Sequence, residues 1–388
     1  MIEEAEAVFR NWKESPDLTR SRPWPYRPAP WPDELLSSWF LRVAHGLTLK
    51  PYTLAHATWR SVPPLLTRDI DNMADPRIVG VMAAKVDVPV QRAWETTLAA
   101  YDGKLVERYA PGGRNAWILQ VGVRHRVRGL GGLQYCPVCF TEHVYFRRAW
   151  RVGFVTTCPD HGLRLLDRCD QCGSTLEPHR SAALHLCPRC GLDLRQGSLI
   201  PASRRVIELQ RRAQSVLARG WGHLGGQILG WSHLYFDTLR IVVKALSFGV
   251  RSQALRNAVA RRHGGDPSSF PKGAKTSIEQ MCVGDRHRVL DLAAPLMKAW
   301  PERLVEACQE ARMWRSWILH DAHDPPFVIA DVINEHLTLR FYKPSTQEIV
   351  AALAYLQGTG RPVLKADLMR LVGDCQEVNA IFQAHAIR

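Results

Sequence analysis

Cys136-Pro137-Val138-Cys139, Cys158-Pro159-Asp160-His161, Cys169-Asp170-Gln171-Cys172 and Cys187-Pro188-Arg189-Cys190 decide how the middle of this chain folds. Each stretch sets two soft metal ligands two residues apart, so that one tight turn aims both at the same ion. Four pairs supply eight ligands, enough for two closed tetrahedral sites: one of three cysteines and a histidine, one of four cysteines. A closed set points to structural zinc, because a catalytic ion keeps one position open. The intervals of 18 residues (140–157) and 14 residues (173–186) lie near the ~15–20 of ribbon-type sites.

In sequence order, Cys136, Cys139, Cys158 and His161 form site one, and Cys169, Cys172, Cys187 and Cys190 form site two. A cross-braced pairing, with the first and third pairs sharing an ion, stays open at this level. Aromatic and β-branched residues between Tyr145 and Thr156 predict strand, or a short helix–strand excursion, inside the first interval. A disulfide framework fits poorly: one member is a histidine, seven cysteines are odd, and the acidic start Met1-Ile2-Glu3-Glu4 lacks a signal-peptide core. A segment of about 60 residues buries little apolar surface, so metal would supply the missing stability. Cys282, Cys308 and Cys375 stand apart and are expected to be small buried residues.

Length and composition bound the rest. A chain of 388 residues, 46% hydrophobic and 23% charged, is globular and has room for two or three domains. No run of 18 apolar residues predicts a membrane span, and reduced thiols without a leader predict a cytoplasmic protein.

Net charge is +14, from 51 basic and 37 acidic residues. Nine basic residues between Lys104 and Arg151 face only Glu107 and Glu142; six between Thr238 and Gly265 face no carboxylate. Such fields favour a polyanion, and the excess of arginine suits bidentate phosphate contacts.

Prolines at 23, 25, 28, 30 and 32 make Arg22–Pro32 an extended lead-in. Asp33 is expected to cap a helix carrying Leu36, Trp39, Phe40 and Val43, ended by Gly46. Further helices are predicted from Thr53 to Trp59, over Asp75–Ala84 and over Pro89–Ala100. Beyond the metal-ligand segment, helical spacing covers Arg204–Ala218, His233–Leu246, Gln253–Arg262, Arg286–Met297 and Pro301–Ser316. Ser345 could cap Thr346–Gln357, a turn follows, and Val363–Leu371 completes a helix-turn-helix layout over 345–372. Most of the 13 tryptophans, Trp39 and Trp317 among them, fall at core spacing. The fold class expected is mainly α. A helical domain with helix-turn-helix-like layout occupies 1–130, a double zinc-ribbon module 131–198, and a helical C-terminal domain 199–388.

No enzyme signature appears. Gly273-Ala274-Lys275-Thr276 lacks the glycine before the lysine that a phosphate loop needs, and there is no Gly-x-Ser-x-Gly or His-Glu-x-x-His.

Several stretches together resemble the TniQ family. They are Tyr135-Cys136-Pro137-Val138-Cys139, Tyr145-Phe146-Arg147-Arg148-Ala149-Trp150-Arg151, Cys158-Pro159-Asp160-His161-Gly162, and Leu165 through Gly173. Ser38-Trp39 and Arg42 match the family's N-terminal Ser-Trp-x-x-Arg helix, with Leu35 where that hallmark usually has a serine. The resemblance covers about a 170-residue stretch; the C-terminal half matches in length and helical character alone.

The resemblance implies a non-catalytic adaptor in DNA transposition. Such adaptors link a target-recognition module to an AAA+ ATPase regulator, which recruits the transposase. In CRISPR-associated transposons the module is an RNA-guided Cascade with its guide RNA, bound by a TniQ homodimer; TnsD-like members bind a DNA attachment site themselves. The candidate working surface is Arg124, Arg126 and Arg128 before the metal segment, with Arg147, Arg148 and Arg151 inside it. Arg148 and Arg151 have a second reading as internal ties. The alternative function is a stand-alone DNA-binding regulator built on the zinc module and helix-turn-helix segments.

Overall fold

A computed structural model describes residues 22–59, 66, 68–124, 127–270, 277–320, 322, 324–338, 344–360, 362–373 and 376–386. The phosphate-loop-like stretch 273–276, Cys375 and Arg126 lie outside them. The chain is mainly helical and divides into two compact units, Met1–Leu337 and Thr338–Arg388. The boundaries expected near 130 and 198 fall inside the first unit.

The first unit opens with α1 (Leu36–Gly46), α2 (Pro51–Thr58), α3 (Ile70–Met73), α4 (Pro76–Val86) and α5 (Val90–Trp94). The metal-ligand segment contributes α6 (Pro137–Glu142), one small hairpin and three 3-10 turns, Arg148–Arg151, Pro178–Arg180 and Leu194–Gln196. Then come α7 (Arg204–Arg219), α8 (Ser232–Ser247), α9 (Ser252–His263), α10 (Val283–Lys298), α11 (Glu302–Glu310), α12 (Arg315–Ile318) and α13 (Phe327–His336). Among the described residues its β-structure is three two-stranded antiparallel hairpins: β1–β2 (Val123–Arg124, Val127–Arg128), β3–β4 (Thr157–Cys158, Leu163–Arg164) and β5–β6 (Gly222–Leu224, Gln227–Leu229).

The apolar stripe of α1 is fully buried, with Leu36, Trp39 and Val43 at 0% exposure. Asp33 does not cap it. Its backbone sits at φ 58°, and its carboxylate accepts from Ala149 N–H at 3.0 Å and pairs with Arg148 at 3.2 Å. The first N–H groups of α1 find long-range acceptors instead: Leu35 donates to Phe146 O, Leu36 to Thr96 O and Ser37 to the Asp71 carboxylate. A tertiary acceptor satisfies an orphan N–H as well as a local side chain does, so no N-cap is needed. Asp75 does cap α4, accepting from Arg77 N–H with Pro76 at the first helical position.

The C-terminal helices match the expected periodicity, with two departures. The stretch Pro301–Ser316 breaks at Arg312, φ 51°, into α11 and α12, and α13 follows unanticipated. Cys308 is buried, but Cys282 is exposed and caps α10 through its sulfur, which accepts from Asp285 N–H at 3.4 Å. The aromatic interval 145–156 forms neither a strand nor a long helix, only a 3-10 turn at Arg148–Arg151.

One apolar core runs from Leu35 to Leu337. Trp117 packs edge-on to Phe154, Phe154 stacks on Phe236 of α8 at 5.2 Å, and Trp117 Nε1 donates to Phe236 O at 2.9 Å. This contact ties the first 165 residues to the helices behind them. Most described tryptophans are core or half-buried, but Trp31, Trp221, Trp231 and Trp317 are exposed, which corrects the expectation for Trp317.

The second unit holds α14 (Thr346–Gly358), α15 (Lys365–Val372) and α16 (Gln376–Ala386) around Ile349, Leu353, Leu368 and Val378. Ser345 and Glu348 form a reciprocal capping box at α14. The helix-turn-helix layout over 345–372 thus gains a third helix that its periodicity did not announce.

Candidate metal centre

Cys136, Cys139, Cys158 and His161 gather at one point, and Cys169, Cys172, Cys187 and Cys190 at another. Within each group the ligand atoms lie within 4.8 Å of one another. The pairing is therefore sequential, not cross-braced. In the first group His161 turns Nδ1 inward, 3.3 to 3.5 Å from the three sulfurs, and Cys139 and Cys158 sulfurs are 3.5 Å apart. In the second, Cys169–Cys190 is 3.6 Å and Cys172–Cys187 is 3.7 Å. Four ligands at about 2.3 Å around a tetrahedral ion would be about 3.8 Å apart, so both donor sets fit zinc in spacing and in softness.

Local chain geometry explains why the turns aim inward. N–H groups of Val138 and Cys139 point at the Cys136 sulfur, and those of Gln171 and Cys172 at Cys169. Arg189 and Cys190 do the same for Cys187. The second group is built from two matching knuckles. Cys169 N–H donates to Ser174 O and Gly173 N–H to Cys169 O; Cys187 N–H donates to Leu192 O and Gly191 N–H to Cys187 O. Gly173 and Gly191 sit at φ 67° and 76°, where a side chain would be strained although space is open.

The supporting shell was harder to foresee. Glu142 accepts from His161 Nε2 at 3.2 Å, which fixes Nδ1 as the ligand atom. Its place three residues after Cys139, on α6, was the available signal. Arg147 lies over Trp150 and Tyr145 and donates to Cys139 sulfur at 3.6 Å.

Arg148 and Arg151 bolt this segment to the N-terminal helices. Arg148 pairs with Asp33, donates to Glu95 O and covers the Tyr101 ring. Arg151, with a 1% exposed side chain, pairs with Asp69 at 2.6 Å and Asp71 at 3.3 Å and donates to Leu119 O. An arginine so enclosed cannot present a binding surface; of its two expected roles, the internal tie is the one the geometry gives. The Ser-Trp-x-x-Arg residues work in the same joint. Ser38 Oγ accepts from Phe146 N–H and donates to buried Glu34, Arg42 forks onto Glu34, and Trp39 Nε1 donates to Pro28 O.

Arg124 and Arg128 lie on β1 and β2, paired Val123 with Arg128 and Arg124 with Val127. The basic run 238–265 is partly neutralised from elsewhere in the chain. Arg240 pairs with Glu279, Arg261 and Arg262 with Glu310 and Glu306, and Arg256 is spent on carbonyls of Leu246 and Pro267. Carboxylates thus face three of its six cations, Arg240, Arg261 and Arg262.

No helix among the described residues is long and apolar enough to cross a membrane. The family model described as TniQ matches residues 25–165, from the proline-rich lead-in through the first ligand group. No curated protein matches the chain. The match takes in Ser38, Trp39, Arg42 and the Arg147–Arg151 turn, whose contacts form one joint. Over residues 25–165 this chain is thus similar to the TniQ family, a family associated with DNA transposition.

Proposed function

We propose that the protein is a non-catalytic adaptor of DNA transposition in the cytoplasm. It links a target-recognition module to an AAA+ ATPase regulator that recruits the transposase. The target module is either an RNA-guided Cascade or a DNA attachment site, and a homodimer is the working form on Cascade. The TniQ match over residues 25–165 is the observation that carries this reading. It is supported by two closed donor sets, which leave no open metal position for catalysis.

Each donor set holds a structural zinc ion in this account: Cys136, Cys139, Cys158 and His161 one, Cys169, Cys172, Cys187 and Cys190 the other. Bound zinc cross-links loops that contain little regular structure of their own. The protein's residues do the rest: Arg148 holds the first metal loop on Asp33 and on the end of α5, and Arg151 holds it on α3. The partner or nucleic-acid surface is assigned to Arg124, Arg126 and Arg128, since Arg148 and Arg151 are engaged internally.

Reversing all three to glutamate tests this in a transposition assay. Integration should fall while metal content stays at two per chain; unchanged integration would remove the hairpin from the mechanism. The three-helix second unit favours one other reading, a regulator that reads duplex DNA alone. That protein would bind a specific duplex at nanomolar level with a steep salt dependence, without any partner.

A further inference from the structure

A cavity of about 390 Å³ opens between α7, α9, α10 and the start of α11. Its floor is aliphatic: Leu209 from α7, with Ala294, Pro295 and Met297 from α10. Cations stand around it. Arg205 is engaged by the Asp291 carboxylate and His263 O, and exposed Lys298 leans on Glu208 at 3.4 Å.

Among the described residues, two guanidinium groups on the lining pair with no carboxylate. Arg212 donates only to backbone oxygens, of Met297 at 3.2 Å and His223 at 2.9 Å. Arg303 makes no side-chain hydrogen bond or ion pair among the described residues. The local field is positive on balance: burial first, then Arg303 and Arg262, holds the neighbouring His263 ring below its usual range, with Glu306 opposing and Arg205 adding to the shift. His263 Nε2 is also buried without a hydrogen-bond partner. An apolar floor beside half-buried guanidinium groups that face no carboxylate among the described residues is a surface suited to an amphipathic anion.

We propose that this cavity binds an aliphatic carboxylate, with the hydrocarbon on Leu209, Pro295 and Met297 and the carboxylate at Arg303 and Arg212. A guanidinium fork suits a carboxylate or a phosphate equally. The floor asks for a hydrocarbon beside the anion: Leu209, Ala294, Pro295 and Met297 carry no aromatic ring and no side-chain donor or acceptor, and the polar side chains Glu208 and His263 stand on the walls. An aliphatic acid satisfies both halves. It has two sources, a free small acid or the C-terminal carboxylate of another protein whose last residue is aliphatic.

Titration calorimetry on the full metal-loaded chain tests the site with two probes, octanoate and N-acetyl-Ala-Ala-Leu, each beside its amide. At least one acid should bind, and its amide should bind about tenfold more weakly or worse, as loss of a charge-assisted contact predicts. R303Q should show the same loss for the acid with an unchanged circular dichroism spectrum. Octanoate binding without the peptide identifies a free acid as the source, and preference for the peptide identifies a chain terminus. Amides that bind as well as acids, an R303Q chain that binds as before, or no acid binding up to about 10 mM would each overturn the proposal.

Discussion

Arg151 and Asp71 meet at 3.3 Å with side chains 1% and 2% exposed, which places an ion pair in the seam between the metal-ligand segment and the N-terminal helices. Asp71 also accepts from Ser37 N–H and Ser37 Oγ, both at 2.7 Å, so one carboxylate joins α1, α3 and the Arg148–Arg151 turn. Removing one partner of a buried pair strands the other charge, at a cost of about 3–5 kcal/mol. R151M should lose that much stability in urea unfolding, and R151K, which keeps charge but loses the fork, should lose less. An R151M chain as stable as the parent would show that the seam is held by apolar contacts alone.

The closed donor sets make metal content countable. Atomic emission should find two zinc ions per chain, and C158S should lower that to one, because the two groups share no ligand. Chelation should unfold the 131–198 region first, since its regular structure is limited to the short α6, one small hairpin and 3-10 turns. Hydrogen exchange that leaves 131–198 protected after chelation would contradict a folding role for metal.

His287 gives the first unit an acid-sensitive joint. Its Nε2 accepts from Ser203 N–H at 3.1 Å, which places the proton on Nδ1, facing Thr156 Oγ1 at 3.2 Å. A second proton would turn Nε2 into a donor opposite a donor. Burial first, then Arg164, lowers the imidazole to about 4. The unfolded chain takes up the proton near pH 6.5 and the folded one resists it, so stability is unaffected above about 6.5 and falls as pH drops toward 4, by up to about 3 kcal/mol. Acid release of metal affects parent and H287Q alike. The difference between their urea midpoints should therefore narrow from pH 7 to 4.5; a constant difference would contradict the assignment.

Arg286 joins the two halves of the first unit without a hydrogen-bonded carboxylate among the described residues. It donates to Met281 O, Gly153 O and Gln134 Oε1, and burial lowers it to about 10, so it stays charged at neutral pH. R286M would leave three buried acceptors unfilled, each worth about 1–3 kcal/mol. Thermal unfolding should show the loss; an unchanged midpoint would mean water enters the joint.

Local chemistry was readable from the chain, and long-range polar chemistry was not. The ligand pairs declare themselves because a knuckle is a property of four adjacent residues, and the stripe of α1 because periodicity is local. Asp33 looks like a cap by position, yet its partners Arg148 and Ala149 lie 115 residues away or more. Arg151 reads as surface by type, since nothing near it announces Asp69 and Asp71. The run 238–265 looks like an open field because Glu279, Glu306 and Glu310, which partly neutralise it, come later in the chain. Gln210 shows the same limit: its carboxamide receives Thr156 and Thr157 N–H and positions the strand leading to Cys158, with no sequence mark of that role.

The adaptor role is tested most directly by tagging the full chain in its native host and recovering what it carries, by mass spectrometry for proteins and sequencing for nucleic acid. The account predicts an AAA+ ATPase, with guide RNA and Cascade subunits on one branch or a DNA attachment site on the other. A single DNA site recovered with no ATPase would contradict it and favour the stand-alone regulator.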